Sequence, residues 1–90
     1  MSAIYKNISA TNQVKVGLTV LKGIFISAAS STPTITVFDS GTANTNDPTI
    51  LGVFTPASAS EYNFTEAGIT ASKGLYVVIS GTVVATIIYE

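Results

Sequence analysis

Apolar and polar positions alternate along much of this chain, with a period of two rather than of three to four. Val14-Lys15-Val16-Gly17-Leu18-Thr19-Val20 is the clearest stretch. Val14, Val16, Leu18 and Val20 fall on one side, and Lys15, Gly17 and Thr19 on the other, the pattern of a half-buried strand. The apolar pattern runs on to Ser27, past the ordinary length of a strand, so a bend is expected. Lys22-Gly23 is the place for it, because glycine inside a strand pattern marks a bulge or corner. Further strands are predicted over Ala3 to Ile8, Thr34 to Asp39, Ile50 to Thr55, Glu61 to Phe64, Leu75 to Ser80 and Thr82 to Tyr89. Turn-rich stretches separate them at Ala28 to Pro33, Ser40 to Pro48 and Pro56 to Ser60. The reading is an all-β domain of about seven or eight short strands, a small antiparallel sandwich, jelly roll or barrel. Residues 1–90 form one domain, with 1–13 set apart as a candidate N-terminal arm.

Two parts of the chain are alike at an offset of 51 residues. Lys22-Gly23-Ile24-Phe25-Ile26 parallels Lys73-Gly74-Leu75-Tyr76-Val77, and Val37-Phe38-Asp39 parallels Ile88-Tyr89-Glu90. The simplest expectation is two hairpins built alike, the first turning through Ala28 to Pro33 and the second at Ser80-Gly81. The aromatics of the two arms of each hairpin would then be cross-strand neighbours.

The C-terminal pair is apolar on both faces. Leu75, Val77 and Ile79 oppose Tyr76 and Val78; Val83, Ala85, Ile87 and Tyr89 oppose Val84 and Ile88. A strand with one face in water alternates apolar with polar. Double coverage calls for a second layer, supplied by a partner or by a loop of the same chain. Tyr76, Val78, Val84, Ile87, Ile88 and Tyr89 are therefore the candidate interface residues.

Composition narrows the function. Of 90 residues only 10% are charged, against about 25% in ordinary domains, and the net charge is −1. Such a surface repels its own copies weakly. Four lysines and no arginine make no basic face for nucleic acid. No apolar run reaches the length of a membrane span, and no secretory signal pattern opens the chain. With no cysteine there is no disulfide, and small domains without such staples often gain stability by association.

Histidine and tryptophan are absent as well. That removes Ser-His and Cys-His catalysis, and no glycine-rich phosphate loop is present. Two of the carboxylates Asp39, Asp47, Glu61, Glu66 and Glu90 could in principle pair for glycoside hydrolysis, but enzymes of that kind usually need a cleft on a larger scaffold. No enzyme, catalytic residue or cofactor is expected. Asp39 to Asp47 gathers oxygen ligands but lacks the ordered spacing of a calcium loop, so a plain loop and no metal are expected. Asn7-Ile8-Ser9 and Asn63-Phe64-Thr65 fit the glycosylation pattern, read here as accidental. Tyr5, Tyr62, Tyr76 and Tyr89 suit core edges and interfaces better than a sugar platform.

Lys22-Gly23-Ile24, Thr36-Val37-Phe38-Asp39, Ile50-Leu51, Gly74-Leu75-Tyr76-Val77 and the Ser80-Gly81-Thr82 turn leading to Ile88-Tyr89-Glu90 carry a resemblance. The chain resembles short virion structural proteins of tailed bacteriophages, from about Val16 to Glu90. The resemblance implies a capsid decoration (cement) protein, made in the host cytoplasm and residing in the virion, often as a homotrimer. Its implied partners are copies of itself and the major capsid protein or another virion protein. A receptor- or glycan-binding module of a tail or fibre is the alternative. No catalytic residue comes with the resemblance, and residues before Val14 fall outside it.

Overall fold

In the computed structural model, which describes residues 4–56, 60–64 and 67–90 with the side chain of residue 31 left aside, two long strands run side by side. They are β3 (Thr19–Asp39) and β7 (Gly74–Tyr89). Around them stand β1 (Ile4–Ile8), β2 (Asn12–Val16), β4 (Thr49–Phe54), β5 (Ser60–Asn63) and β6 (Ile69–Ala71). Every pairing is antiparallel: β1 and β2 flank β7, whereas β4, β5 and β6 flank β3. The fold is all-β, as the alternation predicts.

The β3–β7 ribbon folds over on itself and becomes the shared spine of two layers. One layer holds β1, the C-terminal half of β7, the N-terminal half of β3, and β5 with β6. The other holds β2, the N-terminal half of β7, the C-terminal half of β3, and β4. Bending needs extra residues on the longer path. Between the pairs Gly23↔Ile88 and Asp39↔Leu75, β3 takes 16 steps and β7 takes 13, with register shifts after Ile26 and Ser30. A further shift, between Leu21 and Gly23, is the bulge expected at Lys22-Gly23. At the fold itself Gly81 has a φ of +92°, and a Cβ there would lie 2.8 Å from Pro33 Cα.

Neither predicted hairpin exists. Ala28 to Pro33 and Ser80-Gly81 are bends within continuous strands, and the arms exchange partners. Leu21 to Ile26 pairs with Ala85 to Tyr89, and Thr34 to Asp39 with Leu75 to Ser80. The repeat is nevertheless structural. Lys22 of the first half meets Glu90 of the second, Nζ to carboxylate 3.7 Å, and Asp39 accepts the Lys73 N–H at 2.7 Å. β1 and β2 stand to β7 as β4 and β5 stand to β3, an approximate internal twofold. The expected aromatic neighbours change accordingly: Phe38 lies against Tyr76, centroids 6.1 Å apart, across the halves.

Two other expectations need correction. The stretch from Val14 to Val20 is not one strand: Gly17 takes a φ of +96°, and β2 ends at Val16. Val16 and Leu18 are exposed there, not core. Residues read as an N-terminal arm form β1 and the start of β2 from Ile4 onward. β6 carries too short an apolar pattern to be seen in sequence. The turn expected at Pro56 to Ser60 lies partly outside the described residues.

Between the layers, Leu21, Ile24, Ile26, Ile35, Val37, Leu75, Val77, Val83, Ala85 and Ile87 are fully buried, joined by Ile8, Val14, Ala71 and Tyr89. All are aliphatic except Tyr89, and β-branched residues dominate, as pleated and covered surfaces favour.

Candidate functional site

The six candidate interface residues divide between two faces. Ile87 is fully buried and Tyr89 nearly so; both point between the layers and belong to the core. As interface residues these two are corrected. Tyr76, Val78, Val84 and Ile88 point outward and are half-buried. Residues directly paired across strands share a face, so the outer face of the first layer can be read from its register. It presents Tyr5 and Asn7 from β1, Val84, Thr86 and Ile88 from β7, Gly23 and Phe25 from β3, and Glu61 and Asn63 from β5.

Tyr5 is 74% and Phe25 42% exposed. With Val84 and Ile88 they are the apolar side chains of this face, and Thr86 stands among them, between Val84 and Ile88 and opposite Phe25. Asn7, whose Nδ2 donates to Thr86 Oγ1 at 3.0 Å, Asn63 and Glu61 form its polar margin. Exposed aromatics interspersed with hydrogen-bonding side chains are common in protein-binding surfaces. Sequence alternation revealed Val84 and Ile88. It left Tyr5 as a core-edge or interface aromatic without placing it and missed Phe25, because their outward direction depends on register.

A second feature lies on the β3 side of the molecule, where the layers part. Leu51, Gly52 and Phe54 from β4 and Tyr62 and Phe64, in and after β5, line a cleft of ≈ 320 Å³. Phe54 and Tyr62 meet edge to face, centroids 5.3 Å apart. On the β7 side the corresponding seam is filled by the buried Ile8 and Val14. The four tyrosines share no platform: Tyr5 and Tyr76 lie on opposite outer faces, Tyr62 in the cleft and Tyr89 in the core.

The Asp39 to Asp47 loop is tied down by its own hydrogen bonds. Asp39 accepts from the backbone N–H of Lys73, Ser72 and Gly74 and from the Ser72 hydroxyl, at 2.7–3.3 Å. Ser40, fully buried, accepts the N–H of Asn44 and Thr42 on Oγ. Gln13 donates to the carbonyls of Ser40, Lys15 and Leu75 and accepts the Ala43 N–H. Asp47 takes the Lys73 ammonium at 3.1 Å. These oxygens serve as a clamp joining β2, β3 and β7. Among the described residues no three acidic side chains converge as a metal site would require; Glu66 and Thr65 lie outside them.

Burial pushes the Asp39 carboxyl up, but its hydrogen bonds, led by Lys73 N–H, outweigh this and hold it below the ordinary value of 3.8. The folded form therefore binds its proton less readily than the unfolded form. Its contribution is present above the ordinary carboxyl range and is lost as pH falls through 3.8 toward the lowered value. Asp39→Ala should cost about 1–2 kcal/mol at neutral pH, discounted for solvent near the carboxylate. Asp39→Asn should cost less, since one acceptor oxygen remains. Thermal melts from pH 7 to pH 3 check this: the gap between wild type and Asp39→Ala should narrow below pH 4, and a constant gap would refute the clamp.

Comparison with protein-family models, curated proteins and solved structures finds no match to the chain.

Proposed function

We propose that the protein is a virion structural protein of a tailed bacteriophage, working as a capsid decoration (cement) subunit that binds and stabilises the assembled shell. One observation carries the reading: the outer face on which Tyr5 and Phe25 stand exposed beside Val84 and Ile88. A ligand that binds the assembled state and not the free subunits stabilises assembly by mass action. A weakly charged face suits docking across neighbouring shell subunits. The phage assignment rests on the sequence resemblance, as does the trimer favoured among homo-oligomers.

A tail or fibre module binding a receptor or glycan is favoured by the aromatic cleft at Phe54, Tyr62 and Phe64. Sugar sites also need several converging polar groups to fix orientation. Among the described residues the Tyr62 hydroxyl is the single side-chain polar group lining the cleft, so the shell-binding reading is preferred.

Cryo-electron microscopy of intact particles should place the protein in regular array on the head. Purified protein should co-sediment with shells lacking it, and Phe25→Asp should abolish this without changing circular dichroism, since Phe25 is 42% exposed. Density on the tail alone would refute the reading.

A further inference from the structure

We infer that the subunit is built from two interlocking halves, residues 1–45 and 46–90, each the other's binding partner, and that the link between them is dispensable once they have met. This concerns the single subunit and does not rest on the shell-binding reading.

Among the described residues every strand pairing crosses from one half to the other. β1 and β2 pair with β7, and β3 pairs with β4, β5, β6 and β7. Bonds outside the ladders follow the same division. Gly17 N–H donates to the Lys73 carbonyl at 2.8 Å, Val20 N–H to the Glu90 carbonyl at 3.0 Å, and Phe64 N–H to the Lys22 carbonyl at 3.2 Å. Asp39, of the first half, accepts its hydrogen bonds from Ser72, Lys73 and Gly74 of the second. The core is shared in the same way: Leu21, Ile24 and Ile35 are buried together with Leu75, Val83 and Ile87. Buried backbone groups without partners cost free energy, so neither half can make this sheet, or close this core, alone. The free energy of folding is the free energy with which the halves bind each other.

The likeness at an offset of 51 residues has its place here. Each half lends its long strand to the short strands of the other: β7 to β1 and β2, β3 to β4, β5 and β6. This is the connectivity of an intertwined dimer whose two chains have been joined end to end. The join is the loop between β3 and β4, exposed from Thr42 to Asn46. Its hydrogen bonds fall into two groups. The N–H groups of Thr42, Ala43 and Asn44 bond to Ser40 and Gln13, within the first half. Asp47 holds the Lys73 ammonium, within the second. A cut between Thr45 and Asn46 passes between these groups and breaks no strand pairing.

Magnitude decides whether the halves stay together once cut. A short link holds its ends at an effective concentration on the order of 1 mM. Removing the link therefore costs the pair only that factor. Even at the low end of the stability of small domains, the cut halves should bind with a dissociation constant of about 10⁻⁷ M.

The chain contains no arginine. Thr45→Arg, at an exposed position, therefore gives the full chain a single site for an arginine-specific protease. Cut there at micromolar concentration, the protein should keep its circular dichroism and its uncut mass by light scattering after size exclusion, although a denaturing gel shows two pieces. Its melting temperature should fall on dilution more steeply than that of the uncut variant. If the folded loop resists the protease, cutting in urea and diluting the urea away should give the same two-piece protein. Each piece separated in urea and returned to buffer alone should show no cooperative melt, and mixing the two should restore it. Pieces that part in buffer or fail to recombine would overturn the inference. So would one piece that melts cooperatively by itself as a monomer.

Discussion

Ile87→Lys is expected to leave a chain that does not fold, whereas Val84→Lys, three residues earlier on β7, gives a folded subunit that no longer binds. Ile87 has no exposed surface and stands between Ile24 of β3 and Lys6 of β1 on the core-facing side. The substitution forfeits about 1.5–3 kcal/mol of apolar burial. It also places an ammonium where nothing hydrates it, at several kcal/mol more. Lys6, its neighbour on the same side, adds like-charge repulsion rather than a partner. A chain of this size has about 5–13 kcal/mol of stability in all, so little or none remains. Val84 faces outward opposite Ala28 and is already half in water. Lysine there keeps its hydration, and the cost to folding should stay near 1 kcal/mol. Circular dichroism and co-sedimentation with shells read the two effects separately. A folded Ile87→Lys would mean the layers do not close over that position. A Val84→Lys subunit that binds normally would remove the outer face from the binding surface.

Gly74→Ala should be nearly as damaging, although a single methyl is added. Gly74 opens β7 with a φ of +148°, a conformation that side chains rarely adopt, and its new Cβ would collide with the Lys15 carbonyl oxygen and lie 2.9 Å from that of Ser40. Both oxygens already accept hydrogen bonds from Gln13, and Ser40 N–H bonds back to the Gly74 carbonyl at 3.2 Å. Neither can retreat without breaking the clamp between β2, β3 and β7. Backbone strain of about 1–3 kcal/mol plus this collision gives an expected loss of about 3–5 kcal/mol. For a domain this small that lowers the melting temperature by ~15 °C or more. Gly23, its counterpart 51 residues earlier, is the control. It has no positive φ, and a Cβ there meets the Tyr62 carbonyl oxygen at 3.1 Å, a contact relieved by a small shift. Gly23→Ala should cost about 1 kcal/mol. Equal losses at the two glycines would show that the contacts around Gly74 are not what holds it.

Read along the chain, alternation was sufficient for the class of fold, because a strand's side chains change face at every residue whatever lies beside it. It placed β1, β4 and β5, the second half of β3 and both halves of β7 to within a residue or two, and it identified Lys22-Gly23 as a bulge. It also found the doubly apolar pair from which Val84 and Ile88 emerge as outward-facing candidates. What alternation lacks is any record of partners. Whether Leu75 pairs back onto its own half or across onto Asp39 leaves the same pattern in the sequence, so the two imagined hairpins became one bent ribbon only in three dimensions. The same blindness joined Val14 to Val20 across the Gly17 turn and counted Ile87 and Tyr89 with the surface. Across the bend, from Gly23 to Asp39, β3 outruns β7 by three residues, an odd number, which exchanges the faces of everything beyond it on β3. Thus Phe38 faces outward and its counterpart Tyr89 faces the core. Local residue type determined that this chain makes strands; register, which depends on contacts far apart in sequence, decided which of its apolar side chains face outward and which face the core.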